Sequence, residues 1–420
     1  MSFVNHSQVS ALARESESEI YVEGLGTFSI LNTGFLFADI LIAEEGTPGE
    51  LITIINTGTM YSVVNAAAID GQSTFVNQNE WTSEIETGAG DDVIRNSGTW
   101  FTPFIDTGAG NDRFDMRGGS GGSNRILNTV PSELRGGLGD DIYVVDALAE
   151  ATNGYVVVEG ADAGRDLIVA FSDYVLPEHV EDLLIFGDGT GTGNAGDNIL
   201  PAPAGANLLD GLGGNDTLVG GGGTDTLLGG DGDDRLYLDD ATAEVHGGAD
   251  LDVLIANRST AGVTLDLTQD TGTATGGGAV ALSGIETVVG SDFGDVLTGS
   301  ASTNLLIGGA GDDTLSSGGG SGNRLVGGAG ADTFLFTGIE AAPVVITDFT
   351  SGADMVSFDG LGLTYIGTSA FTGVGSELRQ VSLQGGTRTG LLVDFDGDGV
   401  HDMSAILFGA ASVVESDLIL

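Results

Sequence analysis

The chain has 420 residues, 72 of them glycine, a formal net charge of −49 and no cysteine. All 12 basic residues are arginine, so the basic footprint that nucleic-acid phosphates or an anionic membrane surface require is missing, and disulfide and thiolate chemistry are excluded. The glycines follow no Gly-x-y period, which excludes collagen, and no apolar run approaches the roughly 18 residues of a membrane-spanning helix.

The first twenty residues, "MSFVNHSQVSALARESESEI", have neither a basic start nor an apolar core, so no cleavable signal peptide is expected. Helical periodicity is weak throughout, and residues 5–20 are the best short helix candidate. In residues 1–86 and just beyond, "ILNTG" (30–34), "IINTG" (54–58) and "IRNSG" (94–98) place Asn32, Asn56 and Asn96 at spacings of 24 and 40. Coils of about 20 residues in a parallel β-helix, with asparagines stacked at a corner, would give this pattern. A β-sandwich whose turns use Asn-Gly chemistry would give it as well.

Across 87–192 nine-residue units appear irregularly: "TGAGDDVIR" (87–95), "TGAGNDRFD" (107–115) and "GGLGDDIYV" (136–144), with Asp92, Asp112 and Asp141 at the sixth position. Residues 145–192 alternate apolar and polar side chains, as strands joined by loops would. From 193 to 255 the nine-residue frame runs without an insertion. Its sixth position holds Asn198, Asn207, Asp216, Asp225, Asp234, Ala243 and Asp252, and its eighth Leu200, Leu209, Leu218, Leu227, Leu236, Val245 and Leu254. The unit 238–246 has lost its glycines and its acid but keeps its length, as a degenerate coil. A second connecting stretch, 256–289, also reads as strands. A second block, 290–335, carries Asp295, Asn304, Asp313, Asn323 and Asp332 at the sixth position, with one inserted residue, Ser317. The tail, 336–420, is β-rich.

The unit "GGDGDDRLY" (229–237) shows what the pattern does. Glycine permits the positive φ of successive sharp bends, and the last three residues suffice for a short strand with Leu236 facing inward. Two units then make a right-handed coil of 18 residues, in which residues 18 apart stack at about 4.8 Å. Asp216 falls beside Asp234, and Asn207 beside Asp225. Carboxylates so close repel unless protonated or bridged. Calcium, which takes six to eight oxygens with loose geometry, suits the gap. Zinc would want nitrogen or sulfur, and the four histidines (His6, His179, His246, His401) are scattered. A lone Gly-x-Asp turn is usually a solvated turn; a period held over many units is not.

These units resemble the glycine- and aspartate-rich nonapeptide of the repeats-in-toxin (RTX) family, most regularly over 193–335 and less so over 87–192. The resemblance implies several Ca2+ ions bound in a parallel β-roll, and export from a Gram-negative bacterium through a type I (ABC-transporter) channel, with folding outside the cell. "ITDFTSGADMVSFDGLG" (346–362) and the terminus "ESDLIL" (415–420) are similar to that family's C-terminal secretion domain and uncleaved signal. The implied ligands are the sixth-position acids, strongest at Asp216, Asp225, Asp234, Asp295, Asp313 and Asp332. Turn positions such as Gly211, Gly213, Asn215, Gly220, Gly222, Gly229, Asp231 and Gly308 would assist them. The sites at Asn198, Asn207, Asn304 and Asn323 should be weaker or empty, Ala243 abolishes one, and Ser317 makes the stacking across 313–332 19 apart, which would distort one site.

In "LLVDFDGDGVHDM" (391–403), Asp394, Asp396 and Asp398 fit an EF-hand loop, but its twelfth position is Ala405; a calcium-binding hairpin and a metal-free acidic turn are equal readings. No His-Glu-x-x-His is present, and "GGSGG" (118–122) carries no information as a serine elbow in so glycine-rich a loop. The remaining enzyme reading is a polysaccharide lyase, hydrolase or epimerase on a β-helix at 1–135. It would use acids and arginines among Asp70, Glu80, Glu84, Glu86, Asp106, Arg95, Arg113 and Arg117, with Trp81, Trp100 and Phe101 stacking on sugars; solvated faces and rung-end aromatics are the favoured reading of the same residues. The sequence thus points to an all-β, secreted, calcium-dependent solenoid with a structural or adhesive role, whose partners are calcium ions, the secretion machinery and a cell-surface or matrix polysaccharide.

Overall fold

The computed structural model describes the chain apart from residues 1, 5–6, 14–19, 24–25, 38, 43–50, 68–70, 103, 118–119, 123–131, 146–154, 270, 274–278 and 341. It divides into two compact units, Met1–Leu200 and Pro201–Leu420. Among the described residues there are strands and two short 3-10 turns but no α-helix. The helix expected over 5–20 is not formed where it is described: Ser7–Ala13 is a strand paired in parallel with Gly26–Asn32. Pairing along a whole strand outweighs a weak local helical preference.

Unit 1 begins as a parallel β-helix with three strands per coil. One coil runs Leu51–Asn56, Thr59–Tyr61, Val64–Asn65, and the next runs Ser73–Asn77, Glu80–Thr82, Ile85–Glu86. Registered columns fill the interior: Ile54 over Phe75 over Ile94, Met60 over Trp81 over Trp100, and Val64 over Ile85 over Ile105, all fully buried. Each column forms because strand residues alternate faces, and parallel pairing repeats the same face one coil later.

The asparagine corner is present, with one member more than the sequence suggested. Asn32 Nδ2 donates to Asn56 Oδ1 at 2.8 Å, Asn56 Nδ2 to Asn77 Oδ1 at 2.9 Å, and Asn77 Nδ2 to Asn96 Oδ1 at 2.8 Å. The spacing of 40 hid a whole coil, because "VNQN" at Asn77 lacks the Asn-Thr/Ser-Gly signature.

Unit 2 opens with two strands per coil. Leu218, Leu236 and Leu254 stack in one sheet and Leu209, Leu227 and Val245 in the other, 18 residues apart, and all are fully buried. The degenerate unit keeps its strand, Glu244–Ala249; Asp239 closes its turn by accepting the Ala241 and Thr242 amides at 2.9 and 3.0 Å. The connecting stretch continues the solenoid through Thr264–Asp266, Thr271–Thr273 and Ala279–Ser283, whose successive pairings are antiparallel. In the second block Leu306 stacks on Leu325 and Leu315 on Phe334, both 19 apart. Ser317 is absorbed by positive φ at Gly318 and Gly319. The spacing of 19 expected across 313–332 is present, and Asp313 N–H reaches Asp332 Oδ1 at 3.0 Å. The antiparallel strands Glu377–Leu383, Arg388–Asp394 and Met403–Phe408 follow, and Leu418–Ile419 pairs with Met355–Ser357.

One position breaks the local rule. Where the second residue of a nine-residue unit has positive φ it is otherwise glycine, as at Gly230 (119°), Gly248 (127°) and Gly309 (115°), but unit 211–219 puts Leu212 there at 71°. A bulky side chain in this region costs about 1–2 kcal/mol, partly offset by the extra unfolded-state freedom of glycine. Leu212→Gly is therefore expected to raise the urea midpoint of the calcium-saturated protein by the equivalent of up to about 1 kcal/mol; a lowered midpoint would contradict the strain.

Candidate metal centre

Each sixth-position residue stands immediately before a short strand or opens it, so parallel register carries its side chain to the same residue of the neighbouring coil. The result is a ladder. Asp216 N–H donates to Asp234 Oδ1 at 2.7 Å, Asp234 N–H to Asp252 Oδ1 at 3.0 Å, and Asp252 N–H to Glu286 Oε2 at 3.0 Å. On the other side Asn207 N–H donates to Asp225 Oδ1 at 2.8 Å. In the second block Asp295, Asp313 and Asp332 donate in turn to Asp313, Asp332 and Asp354 at 2.7, 3.0 and 3.1 Å. Unit 1 repeats the device from Asp92 to Asp112 to Asp141 to Asp166, at 2.7, 2.6 and 2.9 Å. All these aspartates are buried.

One oxygen of each is thereby used. The second oxygen, Oδ2, of Asp92, Asp112, Asp141, Asp166, Asp225, Asp234, Asp252 and Asp313 is buried and finds no donor among the described residues. For Asp141, Asp225, Asp234, Asp252 and Asp313 it points at the first glycine of the unit, whereas the units of Asp92 and Asp112 open with Thr87 and Thr107. A Cβ on Gly229 would lie 2.2 Å from Asp234 Oδ2 and 2.4 Å from the Gly247 carbonyl oxygen; one on Gly211 would meet Asp216 Oδ2 at 2.2 Å and the Gly229 carbonyl at 2.5 Å. Gly220 and Gly308 stand in the same relation to Asp225 and Asp313. The missing side chain leaves a cradle lined by carboxylate and carbonyl oxygens, the donor set of a hard divalent cation.

Burial raises the pKa of these carboxyls. It pushes Asp252 and Asp313 up to about 7, Asp112 and Asp166 to about 7, Asp92 to about 6 and Asp141 to about 8. Asp225, Asp234 and Asp332 move upward for the same reason. A buried carboxylate without a counter-charge is costly, and a bound cation removes that cost.

The asparagines behave differently. Asn304 Nδ2 donates to the Ile285 carbonyl at 3.3 Å, Asn323 Nδ2 to that of Ser317 at 3.2 Å, Asn207 Nδ2 to that of Ala204 at 3.3 Å and Asn198 Nδ2 to that of Val180 at 3.3 Å. An amide can donate where a carboxylate can only accept, so these rungs close with fewer demands on a cation. Asp295 is also better satisfied than its neighbours, since its Oδ2 takes the Ser291 N–H at 2.7 Å.

The outer-turn residues lie apart from the cradles. Asn215 and Asp231 are exposed, and Asn215 Oδ1 takes the Asp233 amide at 2.9 Å. A Cβ on Gly213 would have only Asp231 atoms, at 3.7 Å and beyond, and one on Gly222 would meet nothing within 4 Å. Asp394, Asp396 and Asp398 form a separate turn. There Asp394 accepts the Gly397 and Gly399 amides at 2.7 and 2.8 Å, and Asp396 and Asp398 each accept the amide two residues on. The sugar-stacking surface considered for the N-terminal region is not formed by its tryptophans. Trp81 and Trp100 are stacked at 4.7 Å in the core and fully buried, because parallel register places them in one inward column. Asp70 lies outside the described residues.

Sequence reading missed Asp166, Glu181, Glu286 and Asp354 as ladder members. The signal was present: each stands two residues before an inward apolar residue (Ile168, Leu183, Val288, Val356), though only Asp166, Glu286 and Asp354 have a glycine two before them.

The family model of the RTX calcium-binding nonapeptide repeat (4 copies) matches residues 186–218, 203–236, 281–315, 289–322 and 317–335. The chain carries RTX calcium-binding repeats. No curated protein matches the sequence. Among solved structures, a subunit of the mannuronan C5-epimerase of Azotobacter vinelandii is 26% identical over 32% of this chain and 77% of its own, with a TM-score of 0.25. The extracellular lipase LipA of Serratia marcescens is 15% identical over 62% of this chain, with a TM-score of 0.17; this chain covers 45% of the lipase. The RTX match falls where the two-strand coils and first-glycine cradles are most regular, and the ladder of unit 1 before residue 186 lies outside it. No helix among the described residues is long and apolar enough to cross a membrane.

Proposed function

We propose that the protein is a secreted calcium-binding RTX protein whose solenoid assembles on Ca2+ outside the cell and serves a structural or adhesive role. The observation that carries this reading is the set of buried Oδ2 atoms without donors, of which those of Asp141, Asp225, Asp234, Asp252 and Asp313 each face a first-position glycine. The sixth-position aspartates would hold the ions together with turn carbonyls. A chain whose ladder needs the cation stays unfolded where free calcium is low, which suits export through a type I channel before folding. The C-terminus would carry the export address. Asp417 and Leu418–Ile419 then have a second task in the folded protein: Asp417 accepts the Ser351 hydroxyl at 2.6 Å and the Gly352 amide at 3.0 Å, and fastens the last strand to the solenoid.

Calcium titration of two variants tests the ligand assignment. Asp216→Ala is expected to weaken binding at one step by on the order of tenfold or more, because the number of charged ligands sets calcium affinity. Asn207→Ala, which removes no charge, should change it far less. Equal effects would count against the assignment.

A further inference from the structure

Three acids of unit 1 converge outside the matched repeats. Asp141 precedes the strand Ile142–Val145, Asp166 precedes Leu167–Ala170, and Glu159 follows Tyr155–Val157. Ile142 pairs with Leu167, which stacks the two aspartates. Glu159 arrives from a different sheet, where Leu134 pairs with Val157. Asp141, Asp166 and Glu159 are 0%, 0% and 8% exposed. One carboxylate oxygen from each lies within 4.8 Å of the other two.

Hydrogen bonds account for one oxygen of each residue. Asp141 Oδ1 takes the Asp112 amide at 2.6 Å, and Asp166 Oδ1 takes the Asp141 amide at 2.9 Å. Glu159 Oε1 takes the Gly136 amide at 3.1 Å and the Tyr143 hydroxyl. The other three oxygens, Asp141 Oδ2, Glu159 Oε2 and Asp166 Oδ2, find no donor among the described residues. The arginines flanking the cluster in sequence are engaged elsewhere, Arg135 with Glu133 and Arg165 with Asp182. Gly136 keeps the centre open: a Cβ there would lie 1.9 Å from Asp141 Oδ2 and 2.6 Å from the Tyr143 hydroxyl oxygen.

Three buried acids with no counter-charge are unstable as a group unless something positive joins them. Oxygens bound to one calcium at about 2.3–2.6 Å lie no more than about 5 Å apart, and the spacing here satisfies that limit. An all-oxygen donor set selects a hard cation. We propose that Asp141, Glu159 and Asp166 form a calcium site in unit 1. It differs from the ladder sites in its third carboxylate, which comes from outside the nine-residue frame. With the larger ligand charge it fills first. The assignment does not rest on the ligands named for unit 2.

The test is a titration of the metal-free full chain with terbium(III), a calcium substitute whose emission is excited through nearby tyrosine, here Tyr143. In the wild-type chain the earliest binding step should light up and be reversed by calcium. Glu159→Gln preserves the shape and the Oε1 acceptor but removes one charge. It should lose that early emission and weaken the step by on the order of tenfold or more, leaving the later steps in place. Asp216→Ala should do the reverse, sparing the early step, so failure of this site and failure of the unit 2 assignment are separable. Superimposable titrations of wild type and Glu159→Gln would overturn the proposal. Should the variant not fold, wild-type crystals grown in calcium decide the matter. An anomalous peak bonded to the three carboxylates supports the site, and water or nothing there overturns it.

Discussion

Stripped of calcium at about pH 8, the protein is expected to lose much of its β-structure, and acidification to about pH 5 is expected to restore part of it. Both halves follow from the same buried carboxyls. Asp252 and Asp313 are raised by burial from 3.8 to about 7, and Asp112 and Asp166 behave alike in unit 1. A carboxyl held above its unfolded value favours the folded state fully below pH 3.8. That contribution fades as the pH rises through about 7. Each such group removes at most about 1.4 kcal/mol of stability per pH unit across the window. Above it, a metal-free folded chain would carry several buried, unpaired anions, added to the long-range repulsion of a net charge of −49. Calcium reverses the penalty: a site held at 100 times its dissociation constant adds about 2.7 kcal/mol, and the ladder provides several such positions. Far-ultraviolet circular dichroism with calcium, with chelator, and with chelator at lowered pH is the measurement. Equal β-rich spectra with and without chelator at about pH 8 would contradict the expectation.

The second large effect is steric, and it separates glycines that look alike in the sequence. Gly229→Ala is expected to abolish calcium binding at its turn and to destabilise the coil by about 1–3 kcal/mol or more, the usual cost of overpacking. Its Cβ would meet Asp234 Oδ2 at 2.2 Å and the Gly247 carbonyl at 2.4 Å, with backbone on one side and a registered ladder on the other. Gly213→Ala, in the same repeat block, meets nothing nearer than 3.7 Å and has no positive φ. It should be neutral or slightly stabilising through the unfolded chain. Calcium midpoints of folding for the two variants would show the contrast. Equal midpoints would mean that the first-position glycine serves only the bend.

How much of this was legible in the sequence depends on how strictly each feature is tied to register. The leucine columns and the neighbour relations Asp216–Asp234 and Asn207–Asp225 were readable, because an uninterrupted period of nine leaves a parallel strand only one way to stack. The asparagine corner was readable at Asn32, Asn56 and Asn96, where a turn motif marks it, but not at Asn77, where only three-dimensional position does. Asp166, Glu286 and Asp354 kept the acid-to-apolar offset but sat in units too degraded to be counted as repeats. Glu159 had no local signal at all. It reaches Asp141 and Asp166 from a neighbouring sheet, and no periodicity within one unit encodes that. Trp81 and Trp100 were ambiguous between surface and core until strand pairing fixed which face they occupy. Ser317 was readable as a change of spacing to 19, and two glycines with positive φ take it up while Asp313 donates to Asp332.

In the proposed function, calcium holds together rungs in which buried acids such as Asp225, Asp234, Asp252 and Asp313 keep one oxygen without a donor. Hydrogen exchange at the ladder amides reads this most directly, because the Asp216, Asp234, Asp295 and Asp313 N–H groups each donate to the acid of the next coil. In calcium at about pH 7.5 these amides should be strongly protected, and after chelation they should exchange at the earliest labelling time while remaining protectable by added calcium. Unchanged protection in the metal-free protein at that pH would contradict the account.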